Sequence, residues 1–446
     1  MRDLEAILKT SSVRIEPHLI ARDQATTRSK IKAGAVILSI PSLISALLPD
    51  EKARRCDHCS KRPPLSQQLR KCTGCSAYWY CDTTCQTAQW KLHHKFICKS
   101  YQGFVSSNLY QSLPAHLKLD SLLLSHFAAY LAGAPTEIDK ALSPSNIFLS
   151  LLPGPVKSVE IPPICGKKTT LTKERLGMLY ARFGNNNFAI HSHLTTYGHG
   201  IFPLASRLFN HSCLPNAAAR YIITGGGTPV IMEIVALRAI SEGEEITIPY
   251  LDPALVQSRQ QIFKFTYGFT CSCPSCQSLK GLPAQPQDSE APDDESRNRL
   301  SLVLREFSGI TSSANMVLHY GLPSSIPVDL CAVFHEGFLT KLSEAFAEAS
   351  HEGHYEKARD SGLSILALYT VIYPQNYPQI GMHVLELAKT AWNAIILSGS
   401  SPELEQDTKN FLTRAERILE VYGREGDEDG PFLEIQTLKA LLNDAQ

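Results

Sequence analysis

The thirteen cysteines of the chain are clustered. Seven lie between Cys56 and Cys98, and three more between Cys271 and Cys276. Thiols at such short spacings match the tetrahedral sulfur sites of zinc. The first group reads Cys56-x2-Cys59, Cys72-x2-Cys75, Cys81-x3-Cys85 and His94-x3-Cys98, which is eight ligands in four pairs. Eight ligands fill two closed sites, and a site with no position left for water is structural. A pair separated by two residues bends around one ion, and a pair separated by three puts both ligands on one helical face. His93 adjoins His94, and His94 is the chosen ligand because it keeps the three-residue gap to Cys98. The second group, Cys271-x-Cys273-x2-Cys276, needs a fourth ligand, with Cys165, Cys213 and Cys331 as candidates. Reduced cysteines in an ordinary core are the blander reading, and eight ligands in register weigh against it. The charged opening Met1-Arg2-Asp3-Leu4-Glu5 is not the apolar run of a secretory signal, so a disulfide framework explains the thiols less well.

A second stretch holds polar groups beside apolar ones. Leu208-Phe209 leads into Asn210-His211-Ser212-Cys213-Leu214-Pro215-Asn216, and Gly243-Glu244-Glu245-Ile246-Thr247-Ile248-Pro249-Tyr250 follows. Taken alone, the first piece equally fits a capped turn. Gly225-Gly226-Gly227 is no phosphate loop, because neither a Lys-Ser/Thr pair nor a helix follows it. No Gly-x-Gly-x-x-Gly occurs, which removes support for a doubly wound nucleotide fold.

The elements that must position these residues follow from pattern. Ala217–Ile223 and Val230–Leu237 are β-rich around the glycine triplet and predict a hairpin, and Glu245–Tyr250 predicts another strand. Thr84–Cys98 predicts a short helix pair. The stretch 99–178 reads as helical, with a proline-rich insertion from Pro153 to Pro163. Prolines and acids over 278–298 predict a linker. Beyond it, Ile380, Val384, Leu387, Ala391 and Ile395 recur at helical spacing, with similar stretches near 335–350, 355–372, 403–422 and 432–444. The 446 residues predict several domains. With 43 Lys+Arg against 43 Asp+Glu the net charge is zero, which argues against a globally basic nucleic-acid binder. The best apolar run, Leu122–Ala134, is too short to span a bilayer and contains Ser125 and His126. A soluble intracellular protein is expected.

The paired cysteines, with Tyr80-Cys81, Gln86, Trp90 and His94-Lys95, resemble a MYND zinc finger. That resemblance implies cross-braced sites, with Cys56, Cys59, Cys81 and Cys85 on one zinc and Cys72, Cys75, His94 and Cys98 on the other. Asn210–Asn216, Gly243–Tyr250 and Cys271–Cys276 resemble the motifs of a SET domain and its post-SET cluster, which implies Cys213 as the fourth ligand of a third zinc. Gly184–Ile190 and Tyr197–Phe209 also look like family segments. A finger inserted in a SET domain resembles the SET-and-MYND family of protein lysine methyltransferases, over essentially the full chain. The implied fold is α+β and multidomain: a β-rich SET domain split by the finger, a post-SET zinc cluster, and an all-helical tetratricopeptide-like C-terminal domain. The expected segments are SET strands at 1–55, finger at 56–98, helical insertion at 99–178, SET core at 179–250, post-SET at 251–277, linker at 278–298 and helical domain at 299–446.

The resemblance implies an AdoMet-dependent protein-lysine N-methyltransferase acting on histone or other proteins. It implies that Asn186, Asn210, His211 and Phe269 bind the cofactor, Tyr250 places its hydroxyl by the reacting atoms, and Tyr267 lines the lysine channel. Core packing is the competing role for each aromatic ring. One feature departs from the family: its first strand carries a Gly-x-Gly turn, and in the apparent equivalent, Val13–Ala21, Glu16 and His18 stand where glycines are expected. A Cβ at a close-approach position obstructs a ligand. The alternative is therefore a catalytically inactive scaffold or transcriptional regulator that recruits partners. The finger implies a proline-rich peptide partner. Its ten Lys/Arg against two Asp from Lys52 to Lys99 are permissive for a weak DNA contact. No membrane association, a monomer, chromatin regulation, and a nuclear or cytoplasmic location complete the expectations.

Overall fold

A computed structural model describes every residue except 1–7, 10, 20, 65, 135, 137–139, 141, 156–159, 167–170, 281–291, 317–325, 400, 427–429 and 445–446. Its strands are β1 (Val13–Pro17), β2 (Asp23–Thr27), β3 (Val36–Pro41), β4 (Ile44–Leu47), β5 (Arg70–Lys71), β6 (Trp79–Tyr80), β7 (Phe188–Ser192), β8 (Thr195–Ile201), β9 (Asn210–His211), β10 (Ala217–Ile222), β11 (Ile231–Ala236) and β12 (Thr247–Ile248). They form small sheets ordered β1-β2, β10-β11-β3, β4-β8-β7, β12-β9 and β5-β6. Among these described strands only β9 and β12 pair in parallel, with Asn210 opposite Thr247 and His211 opposite Ile248. The glycine-triplet hairpin forms as expected, with Ile222 opposite Ile231. The strand expected over Glu245–Tyr250 shortens to Thr247–Ile248. Pro249 has no amide hydrogen to extend the ladder, and Glu245 instead bridges Thr26.

Three large apolar cores, and a smaller one of Cys213, Phe263, Cys271 and Cys276, organise the described residues. One lies inside the sheets of β1, β3, β10 and β11 and includes Val13, Ile40, Phe209, Met232 and Ile246. A second joins the cysteine-rich finger to β4 and to the helix Ala115–Gly133. That helix is buried along most of its length, and no described helix is long and apolar enough to cross a membrane. The third core belongs to the C-terminal helices and reaches Ala218 and Leu237 of the sheet domain. Helices Glu336–His351 and Tyr355–Ile372 pack together, as do Pro378–Ser398 and Pro402–Tyr422. Each pair is joined by a very short turn, which makes it an antiparallel hairpin. Helices Pro274–Leu279 and Asp294–Ser308 run into the two ends of the expected 278–298 linker. Pro283 and Pro286 of that linker lie outside the described residues.

Polar contacts fix the domains against one another. Tyr78 of the finger meets His126 Nε2 at 2.7 Å, while His126 Nδ1 meets the Ser45 carbonyl at 2.9 Å. His58 Nε2 lies 2.8 Å from the Gly227 carbonyl at the hairpin tip. On the other side, Arg220 donates to the Tyr422 carbonyl and the Tyr422 hydroxyl donates to that of Ala219, both at 2.6 Å.

Close strand approach yields the first prediction. A Cβ at Gly198 would sit 2.7 Å from the Ala46 carbonyl oxygen across β8 and β4. Gly198→Ala is expected to destabilise the protein by about 1–3 kcal/mol. Gly103, inside the helix Lys95–Val105, has nothing within 4 Å of such a Cβ. Gly103→Ala is expected to stabilise by about 0.5–1 kcal/mol. Chemical denaturation of both variants checks this, and equal midpoints would contradict the β4–β8 approach.

Candidate active site and metal centres

The twelve ligand candidates converge into three groups: Cys56, Cys59, Cys81 and Cys85; Cys72, Cys75, His94 and Cys98; and Cys213, Cys271, Cys273 and Cys276. Within each group the ligand atoms lie within 4.8 Å of one another. The fit to zinc can be tested from geometry. A tetrahedron with Zn–S near 2.3 Å has sulfur–sulfur edges of about 3.8 Å, and with Zn–N near 2.05 Å a sulfur–nitrogen edge of about 3.6 Å. Cys59–Cys81 measures 3.7 Å, Cys59–Cys85 and Cys72–Cys98 3.8 Å, Cys213–Cys276 3.6 Å, and Cys75 Sγ to His94 Nε2 3.6 Å. All three groups therefore fit the ion.

Local structure explains this convergence. The Asp82 side chain caps the helix Thr83–Gln89 by accepting from the Cys85 amide at 2.8 Å. The expected helix pair is one continuous run, in which a widened turn over Trp90–His94 separates Thr83–Gln89 from Lys95–Val105. The neighbouring histidines face different partners. His94 joins the metal group, while the His93 ring stacks on His126 at 4.2 Å between centroids. Burial holds His94 down near about 4, in the neutral form that a metal requires. Cys165 lies elsewhere, its thiol 3.8 Å from the Ile97 carbonyl.

The third metal group adjoins the segment Asn210–Asn216, and every polar side chain there has a defined partner. Asn216 accepts from the Thr247 amide at 2.9 Å and donates to the Glu245 carbonyl at 2.8 Å. It thereby stands in for a strand neighbour. Asn210 donates to the Asp23 carbonyl at 2.9 Å and to Glu245 Oε1 at 2.8 Å. His211 Nδ1 accepts from the Tyr250 amide at 3.0 Å, so Nε2 carries the hydrogen and faces Cys213 Sγ at 3.3 Å. Burial pushes this imidazole down to about 4, which matches its acceptor role.

Around His211 gathers an aromatic pocket. Tyr250 and Tyr267 have ring centroids 5.1 Å apart, and Phe269 lies 6.5 Å from Tyr250 and 6.2 Å from Tyr267. Tyr250, Tyr267 and Phe269 are part-buried. Gly268, with φ of 77°, reverses the chain between Tyr267 and Phe269, a conformation that suits glycine. The Tyr250 hydroxyl donates to the Phe209 carbonyl at 2.7 Å. Burial raises both phenols, Tyr267 to about 12, so each remains a neutral hydroxyl near pH 7. Asn186 is buried on the short helix Phe183–Asn186, which packs against the segment Phe263–Tyr267, and it donates to the Arg182 carbonyl at 3.0 Å. Its neighbours diverge: Asn185 reaches the Leu152 carbonyl, and Asn187 meets His199.

The Asn210 side chain meets the backbone of Asp23, at the start of β2. Glu16, in the stretch expected to stand in for Gly-x-Gly, pairs with Arg14 at 2.9 Å from a half-buried strand position. The sequence reading passed over Phe263. This fully buried ring lies 4.3 Å from His211 and stacks on Phe269 at 5.1 Å. Its four-residue spacing from Tyr267 was the available signal.

A profile for the SET domain matches residues 25–251. The chain is similar to N-lysine methyltransferase SMYD2-A of Xenopus laevis, 25% identical over 341 residues that cover 74% of each protein. It is also similar to N-lysine methyltransferase SMYD2 of Homo sapiens, 25% identical over 72% of this chain and 71% of that one. Against the crystal structure of the SET domain of LSMT bound to lysine and AdoHcy, the TM-score is 0.26 at 13% identity, covering 99% of this chain and 90% of that one. That overlay is too loose to carry an argument.

The three four-ligand groups predict three zinc ions per chain by native mass spectrometry. Chelation is expected to unfold the finger, because thiolate ligation supplies much of its folding energy. A stoichiometry of one, or a fold indifferent to chelator, would contradict the assignment. Asn216→Ala removes two bonds to strand Thr247–Ile248 and its approach. An expected loss of about 1–3 kcal/mol is measurable by denaturation.

Proposed function

The chain belongs to the SET-domain family, and on that premise we propose that it is an AdoMet-dependent protein-lysine N-methyltransferase with a histone or non-histone substrate. The observation that carries the reading is the part-buried ring cluster of Tyr250, Tyr267 and Phe269 set against His211 of the Asn210–His211 strand. Such faces suit a sulfonium and a lysine ammonium alike, since aromatic quadrupoles attract cations. The similarity to N-lysine methyltransferases supports the same conclusion.

AdoMet would supply a methyl group on a sulfonium, open to in-line displacement by a neutral amine. The residues then have positioning work to do. The Asn210 and His211 side chains are engaged within the protein. They therefore act by holding the main chain of their strand as the cofactor-facing edge. Asn186 contributes a polar group from the neighbouring short helix, and Phe269 an apolar face. Tyr267 lines the lysine channel. The apolar channel lowers the pKa of an entering lysine, which favours the neutral amine needed for attack. Tyr250, a neutral phenol, orients the amine and methyl rather than serving as a base. Held geometry supplies most of the acceleration in such a reaction.

The finger would recruit partners, with proline-rich peptides the favoured class and DNA a weaker one. Trp90 is 43% exposed there, beside Lys91 and Lys95. A monomer acting in nucleus or cytoplasm, with a role in chromatin regulation, accords with this reading. The competing reading is an inactive scaffold, favoured by Glu16 and His18 standing where the glycines of the family's Gly-x-Gly turn are expected. Calorimetric titration with AdoMet separates the two, since the scaffold binds none at millimolar concentration.

Tyr250→Phe keeps the ring and removes the hydroxyl. AdoMet binding and the melting curve should be near wild type, while radiolabelled methyl transfer to a protein mixture falls about a hundredfold or more. Transfer equal to wild type would remove Tyr250 from the chemistry. His211→Ala is expected to weaken AdoMet binding about tenfold, by releasing the Tyr250 amide and the Cys213 contact.

A further inference from the structure

Arg259 is 2% exposed and heads the largest fully buried side chains of the protein. Its guanidinium donates to the Pro253 carbonyl at 3.3 Å and to the Ser275 hydroxyl at 3.0 Å, both neutral groups. Among the described residues no carboxylate oxygen lies within 4.0 Å of it. An arginine stays charged in a protein, and a buried charge without a counter-charge is strongly disfavoured. The compensating charge must therefore come from something other than a carboxylate. Ser275 lies between Cys273 and Cys276, which brings the guanidinium to the third metal group. Four thiolates around one divalent zinc leave that centre doubly negative.

We propose that Arg259 is the counter-cation of the zinc centre formed by Cys213, Cys271, Cys273 and Cys276, and that its helix ties this centre to the aromatic pocket. The inference rests on the zinc reading of that centre. The next residue continues the attachment: Gln260 donates to the Cys271 carbonyl at 2.9 Å and accepts from the Cys271 amide at 3.0 Å. The same run, Arg259–Ile262, leads directly into Phe263–Tyr267. Two consecutive side chains thus anchor on the metal loop the segment that presents Phe263 and Tyr267. Arg259 is a positioning residue in this scheme and touches no reacting atom.

The test uses the full chain and reads zinc per chain by native mass spectrometry, with the rate of zinc transfer to a colorimetric chelator. Wild type should hold three zinc ions. Arg259→Met should release one of the three about 10- to 100-fold faster, and Arg259→Lys, which keeps the charge, should stay much closer to wild type. Cys273→His removes one negative charge from the centre. In that background Arg259→Met should accelerate release far less, because the counter-charge matters less. Equal acceleration in both backgrounds, or wild-type release from Arg259→Met, overturns the proposal. Should Arg259→Met fail to fold, recovery of folded protein on adding Cys273→His supports charge compensation, and no recovery refutes it. A wild-type chain with only the two finger zinc ions removes the zinc reading of this centre and the inference with it.

Discussion

Cys213 and Cys276 meet at 3.6 Å although 63 residues separate them, and much of the site hangs on that closure. The segment carrying Cys213 also carries His211 and Asn216. Once Cys213 is held in the metal group, His211 is fixed beneath the Tyr250 amide and Asn216 fills the gap beside Thr247. The same metal loop anchors Gln260, and through its helix the rings of Phe263 and Tyr267. One four-ligand group thus joins both sides of the aromatic cluster. A short β-pair of two residues per strand could not do this alone, since so small a ladder is marginal in water.

The other two centres act at a distance. They give shape to a finger too small to hold a large core, and the finger then meets the sheet domain through side chains that are themselves buried. Tyr78, His126 and the Ser45 carbonyl form a chain from finger to helix to strand. The C-terminal helices meet the opposite side through Glu425, which is buried and accepts from the His193 amide, with the Tyr422 hydroxyl at 3.3 Å. Buried polar contacts of this kind are directional, so they fix orientation where apolar packing would permit sliding.

The pocket's chemistry follows from which polar groups remain available. Asn210 and His211 lie in the segment whose motif drew the functional reading, yet their side chains bind Asp23, Glu245, Tyr250 and Cys213. What they leave to a ligand is an oriented strand edge. Rings supply the remaining surface, and the phenols of Tyr250 and Tyr267 remain protonated. A pocket so built can position a cation and an amine, and contributes little acid–base machinery of its own.

Spacing within the sequence determined the ligand pairs of the finger, the hairpin around Gly225–Gly227 and the C-terminal helices, because each depends on residues a few positions apart, while the cross-braced grouping of those pairs came from the resemblance. Ligands three or four residues apart share a helical face whatever the rest of the chain does. The resemblance to known motifs pointed to Cys213 where spacing alone left Cys165 and Cys331 equally open. Only the tertiary structure placed Asp23 against Asn210, a contact spanning 187 residues. It alone set Phe263 beside His211 and left Arg259 buried without a carboxylate among the described residues, bonded to Ser275 of the metal loop. Those facts depend on which surfaces meet once loops have closed, and a local pattern of apolar and polar residues carries no record of the distant partner.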